Sequence, residues 1–277
     1  VHAWWRKRNT HKDEKMLLVL KPNSEELGRE AARVVANAVR RNSALCLGLA
    51  TGSTMVGMYQ ELVRLHRDEK LDFSRVVTFN LDEYLGLPSN HPQSFHHFMQ
   101  ENFFAHVNVT PGNIHIPDGA IKGNYQQYCA SYEETIRNAG GIDLQVLGIG
   151  RNGHIGFNEP TSSLGSRTRL KVLSRETIED NRKFFSEEEI PQCAITMGIG
   201  TILEAKRILL LASGSSKAAA IARAIEGPLT ASVTASALQL HSDVTFIVDR
   251  EAGAQLKQQE YYQRVLEMTA ILTPERL

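Results

Sequence analysis

An α/β fold around an open, mainly parallel sheet with helices on both faces is the architecture this sequence predicts. Three observations carry it. Short apolar runs recur along the 277 residues: "ALCLGL" (44–49), "RVVTFNL" (75–81), "IDLQVL" (142–147), "KRILLLAS" (206–213) and "VTFIVD" (244–249). Segments with helical spacing lie between them. The runs are continuous rather than alternating, as in strands covered on both faces.

In chain order, "MLLVL" (16–20) predicts the first strand. Asn23 with Glu26 three residues on is a helix-capping pattern, and Leu27, Ala31, Val35 and Ala38 then share one helix face. "MVGMYQELVRLHR" (55–67), "SFHHFMQENFF" (94–104) and "NYQQYCASYEETIRNAG" (124–140) predict further helices. "TRLKVL" (168–173) is another strand candidate. "SSKAAAIARAI" (215–225) is a helix stopped by Gly227-Pro228, and a polar helix is expected from Glu251. There is no internal repeat or linker, so one domain is expected over residues 16–277, with residues 160–185 as a candidate lid. Residues 1–15 carry both tryptophans, Trp4 and Trp5, and no periodicity. They read as an extension or expression remnant, or else as a strap docking through its two rings.

Composition excludes several classes. Lys plus Arg equals Asp plus Glu at 31 each, so nothing draws the whole chain to nucleic acid or an anionic membrane. No apolar run approaches the roughly 20 residues of a membrane-spanning helix. Cys46, Cys129 and Cys193 form neither a disulfide framework nor a metal-ligand spacing, which fits a reducing, cytoplasmic setting.

In parallel sheets ligands sit beyond the carboxyl ends of the strands, and four such ends carry chemistry. After "ALCLGL" come Thr51, Gly52, Ser53 and Thr54 at a helix start. They read as a phosphate cradle or as a hydroxyl-capped turn; the G-K-[ST] ending of a nucleoside triphosphate loop is missing. "ASGSSKAAA" repeats the pattern with Lys217 in the first turn, where a cation opposes the helix dipole unless an anion joins it. Lys217 is then an anion ligand or a solvated surface lysine. In "NLDEYLGLP", Asp82 and Glu83 point apart, so one is expected to face the crevice while the other fixes the loop. Asp82 is a candidate general base or a turn-forming aspartate.

The fourth end, "LGIGRNGHIGFNEP", fits G-x-G-x-x-G through Gly148, Gly150 and Gly153. A dinucleotide fingerprint requires a helix at once, but Gly156, Pro160 and Gly165 break the continuation. His154 with Glu159 remains, either a proton-transfer pair or a structural one. His91, His96 and His97 lack metal-ligand geometry on a helix, and no cofactor or metal is implied.

Taken together, "GLATGST", "VVTFNLDEYLGLP", "GIGRNGHIGFNEP", "SSLGSRTR" and "GSSKA" resemble, in order, the glucosamine-6-phosphate deaminase (glucosamine-6-phosphate isomerase) family. The resemblance spans about residues 17–265. It implies a Rossmann-like fold and amino-sugar catabolism: glucosamine 6-phosphate becomes fructose 6-phosphate and ammonia without a redox cofactor. By the family pattern Asp82 takes the proton from C2, His154 assists ring opening and Glu159 is its carboxylate partner. Asn152 stands where some members have Asp, and can orient His154 without ionising. Thr51, Gly52, Ser53, Thr54 and Lys217 hold the phosphate, joined by Arg182 or Lys183. Ser162, Arg169 and Lys171 match positions at which regulated, hexameric members bind N-acetylglucosamine 6-phosphate; Val172 replaces a Thr there. A homo-oligomer is therefore one expectation and an unregulated monomer the other. The rival activities are a phosphosugar lactonase on the same sheet and an inactive sugar-phosphate sensor.

Overall fold

A computed structural model describes residues 15–182, 185 and 190–272. Residues 1–14, with Trp4 and Trp5, and Lys183 lie outside the described residues. The large sheet runs β1 (Lys15–Lys21), β10 (Asp243–Asp249), β9 (Ile208–Ala212), β6 (Leu144–Leu147), β2 (Cys46–Leu49), β3 (Val77–Asn80) and β5 (Ile114–His115). All six pairings in it are parallel. β2, β6 and β9 are buried at every position. Successive side chains point to opposite faces, so both faces must be covered.

Eight α-helices flank the sheets among the described residues: α1 (Ser24–Arg41), α2 (Ser53–Glu69), α3 (Phe95–Asn102), α4 (Tyr125–Asn138), α5 (Arg175–Asn181), α6 (Ile199–Leu203), α7 (Ala218–Glu226) and α8 (Gln259–Leu272). The Asn23 side chain accepts the Glu26 N–H at 2.9 Å and starts α1, whose buried face includes Leu27, Ala31, Val35 and Ala38. None of these helices is long and apolar enough to cross a membrane.

The sequence reading missed a second sheet. β4 (Asp82–Tyr84), β8 (Cys193–Thr196) and β7 (Arg169–Val172) form a three-stranded antiparallel sheet. "TRLKVL" is thus a strand, but of this smaller sheet. Only Leu81 separates β3 from β4, whose three residues are Asp82, Glu83 and Tyr84. The Leu81 N–H donates to Leu49 in the large sheet, and its carbonyl accepts from Met197 beside the small one. One residue therefore couples the two sheets, and Asp82 begins at the junction. β4 and β8 are too short to show a period.

Three helix boundaries also differ. The last helix begins at Gln259 rather than Glu251, because the Glu226 carboxylate accepts the N–H groups of Lys257 and Gln258 and delays the first turn. α3 stops at Asn102, and Phe104–His106 form a separate 3-10 turn. Ser215–Lys217 are likewise 3-10, and α7 starts after them.

Candidate active site

The four candidate strand ends belong to β9, β6, β2 and β3, which are consecutive neighbours. Their loops therefore open on one edge of the sheet. From β2 the chain proceeds outward through β3 to β5, and from β6 it proceeds the other way. The crevice between β2 and β6 is the topological switch point, where ligands of such sheets bind. Gly148 brings the loop after β6 against α2: a Cβ there would lie 3.4 Å from Met55 Cε.

At the end of β3 the two acids divide as the sequence suggests. Glu83 is saturated. Its Oε1 accepts from Tyr84 N at 2.8 Å and Phe95 N at 2.9 Å, and its Oε2 from His96 N at 3.0 Å, with His96 Nδ1 also at 3.0 Å. Asp82 is 7% exposed, and the nearby Phe157 N–H, which donates to Thr196 Oγ1 at 3.0 Å, offsets its burial only in part. Burial first, and the Glu83 charge second, push the Asp82 carboxyl up to about 8.

The glycines of the loop after β6 serve His154 and Asp82. A Cβ at Gly150 would overlap the His154 imidazole. Gly153 has φ +89°, and its N–H closes a turn onto the Gly150 carbonyl. At Gly156, φ +54°, a Cβ would sit 3.0 Å from Thr196 Oγ1 and 3.4 Å from Asp82 Oδ2. The missing side chain lets the loop pass close to Asp82. The turn that carries His154 therefore packs, through Gly156, against the start of β4, which carries Asp82.

Asn152 ties this turn together. Its Oδ1 accepts the His154 N–H at 3.1 Å, and its Nδ2 donates to Glu159 Oε2 at 3.2 Å. Glu159 Oε2 lies 3.5 Å from His154 Nδ1, an ion-pair separation, and its Oε1 accepts from Ser174 N at 3.2 Å. Burial alone would raise the Glu159 carboxyl; His154, Thr177 and Ser174 outweigh it and hold the group down at about 2. Ser174 caps α5, so Glu159 also anchors that helix.

The two hydroxyl-rich turns differ. Gly52 has φ +113°, and α2 starts without a side-chain cap or an acid in its first turn, so its leading N–H groups suit an anion. After β9, Asp249 accepts the Gly214 N–H and the Ser213 hydroxyl, and Glu251 accepts the Ser215 N–H. Those donors are spent. What that turn offers an anion is the half-buried Lys217. Arg182 is exposed at the end of α5.

Of the other predicted residues, Ser162 N donates to the Glu159 carbonyl, and Arg169 Nη1 donates to Asn158 Oδ1 at 2.9 Å. Ser162 Oγ and Arg169 Nη2 are buried without a hydrogen-bond partner. Lys171 sits two residues on in β7, half-buried. Among the described residues no group of three or more His, Cys, Asp or Glu side chains could hold a metal ion.

Residues 22–247 match the family model described as glucosamine-6-phosphate isomerases/6-phosphogluconolactonase. A glucosamine-6-phosphate deaminase of Thermoanaerobacter sp. is 51% identical over 240 residues, 86% of this chain and 94% of its own. One from Halothermothrix orenii is 51% identical over 242 residues, 87% of this chain and all of its own. The chain belongs to the glucosamine-6-phosphate deaminase family. A solved monomeric glucosamine-6-phosphate deaminase superposes with a TM-score of 0.85 at 45% identity, covering 87% of this chain and 100% of that one. A 6-phosphogluconolactonase from Trypanosoma cruzi, with a TM-score of 0.70, 21% identity and coverage of 88% and 98%, shares the fold alone.

In this deaminase-family site, sequence reasoning missed Ser174, Thr177, Thr196 and Asn158. Asn158 is fully buried, and its Nδ2 donates to the carbonyls of Ile155 at 2.9 Å and Met197 at 2.8 Å. None of the four carries a distinctive residue type. Only the asparagine stood inside a quoted motif.

Proposed function

We propose that this protein converts glucosamine 6-phosphate to fructose 6-phosphate and ammonia, with Asp82, Asn152, His154 and Glu159 as its catalytic group. One observation carries the assignment. The crevice holds a buried carboxyl raised to about 8 beside a turn bearing an imidazole whose partner carboxylate is lowered to about 2. Neighbouring acids pushed apart in this way are suited to different tasks.

The pyranose hides its carbonyl, so the ring opens first. His154 moves the proton at the ring oxygen, with Glu159 stabilising the charged imidazole. Ionised Asp82 takes the proton from C2, and electrons shift to give an enol-type intermediate. The proton is delivered to C1, leaving C2 doubly bonded to nitrogen. Water adds at C2 and the C–N bond breaks, releasing ammonia. A base that ionises near the working pH both takes a proton and returns it. The phosphate is held by Thr51, Gly52, Ser53 and Thr54, with Lys217 and one of Arg182 and Lys183. It fixes the far end of the sugar, so binding energy places C2 at Asp82.

The finer parts of the proposal are the single domain with residues 160–185 as a lid, a cytoplasmic setting consistent with three free cysteines, and control by N-acetylglucosamine 6-phosphate in a homo-oligomer. Ser162 Oγ and Arg169 Nη2 support the control site, since orphaned buried donors suit a phosphate. Val172, 67% exposed, leaves it one hydroxyl short. The test is release of ammonia and fructose 6-phosphate from glucosamine 6-phosphate, with and without N-acetylglucosamine 6-phosphate, alongside light scattering. Tight sugar-phosphate binding without ammonia would point to a sensor. Hydrolysis of a phosphosugar lactone with no ammonia would point to the lactonase branch.

A further inference from the structure

The proposed reaction leaves Glu83 without a task, although it is 1% exposed and holds four donors. Phe95 and His96 open α3, where unpaired N–H groups and the helix dipole favour an anion. The Ser94 hydroxyl caps the next donor, His97 N, at 3.0 Å. Gly119 closes the other side: a Cβ there would overlap the carbonyl of Tyr84 and come within 3.1 Å of Glu83 Cγ. The Gly119 backbone therefore packs directly against the Glu83 side chain on the side away from α3.

This constraint reaches Asp82 through the strand. β4 pairs Asp82 with Thr196, Glu83 with Ile195 and Tyr84 with Ala194. Adjacent side chains of a strand leave on opposite faces. Fixing Glu83 toward α3 thus fixes Asp82 toward Gly156 and Thr196. A buried carboxylate is a costly way to fasten a strand, and an apolar contact would serve as well. The charge itself is what an apolar contact could not supply.

We propose that Glu83, clamped by the first turn of α3, is a positioning residue that aims Asp82 and keeps a second negative charge beside it. The role rests on Asp82 being the base. The titratable groups around Asp82 are few among the described residues. Its own strand gives Glu83 and Tyr84, and α4 gives Tyr132. β8 gives the uncharged Thr196, and the turn after β6 gives the Phe157 N–H, with His154 and Glu159 farther along it. α3 contributes His96, which faces Glu83. After burial, it is the Glu83 charge that raises the Asp82 carboxyl.

The test is the pH dependence of kcat/KM for ammonia release from glucosamine 6-phosphate. Glu83→Gln keeps the shape and removes the charge. Its acid limb is expected to move down by on the order of one pH unit, with KM nearly unchanged. His96→Ala removes one donor and keeps the charge; kcat is expected to fall several-fold without a downward move of the limb. A Glu83→Gln enzyme that loses kcat with its limb in place overturns the proposal. So does a downward limb or wild-type behaviour in His96→Ala, which decides the matter should Glu83→Gln fail to fold. The same series separates the two readings. An active Asp82→Asn enzyme removes the base assignment itself, whereas a wild-type limb that disregards Glu83 removes only the positioning role.

Discussion

Asp82 and Glu159 are both buried acids on the same crevice, yet their carboxyls are displaced in opposite directions, to about 8 and about 2. Burial is the largest influence on each and raises both. The partners decide the outcome. Asp82 has only the nearby Phe157 N–H, which donates to Thr196, and a carboxylate for a neighbour. Glu159 has an imidazole, a hydroxyl, the Ser174 N–H and the Asn152 amide. The contrast teaches that depth does not set the role of an acid here. The hydrogen-bond donors supplied by neighbouring elements do.

The contrast is broken most severely at Asp82. Asp82→Asn is expected to lower ammonia release by on the order of 10²–10⁴ while sugar-phosphate binding persists, as measured by steady-state kinetics and calorimetry. Near-normal turnover would remove the base. Gly150→Ala attacks the other side by displacing the His154 ring. A loss of about 10² in kcat is expected, since a displacement of about 1 Å costs that much in a preorganised site.

The pH profile sharpens the comparison. A base works ionised, so kcat/KM is expected to climb as pH rises through about 8, by just under tenfold per unit below it. A profile flat from pH 6 to 9 would contradict the raised carboxyl.

Stability gives a smaller, oppositely signed readout. The folded carboxyl of Asp82 is raised above its unfolded value, so its contribution is fully present below about 4 and is lost as pH rises through about 8. Asp82→Asn is therefore expected to melt a few degrees higher than wild type at pH 8, with no gain at pH 4. An equal gain at both pH values would mean the effect is not titration.

Glu159 is the reverse case. Its carboxyl is held low, so its contribution is present above the unfolded value and is lost as pH falls toward about 2. Asn152→Asp replaces a donor to Glu159 with a second carboxylate. A drop of a degree or two in melting temperature near pH 6 is expected, shrinking as acid neutralises the pair.

The sequence showed much of this site because the proposed chemistry rests on distinctive residue types at strand ends. "NLDEY" displayed the two acids, and "GHIGFNEP" displayed the imidazole and its carboxylate. It did not show that Asp82 starts a second sheet, because Leu81 serves both sheets and the three-residue β4 is too short to show a strand period. It also presented two similar anion turns, whereas Asp249 and Glu251 fill the donors of one of them from elsewhere in the chain.

By itself, then, the sequence determined the parallel α/β scaffold, the four loops and the family. These follow from local periodicity, from glycine and capping signals, and from motif order. Only the tertiary structure decided that Glu83 and Glu159 are well supplied with donors and Asp82 is left nearly bare, because the donors concerned come from α3, the start of α5 and the turn after β6. Those donors are backbone N–H groups and common hydroxyls and amides, so no residue type announces them. A carboxyl is raised or lowered by whatever the fold brings beside it.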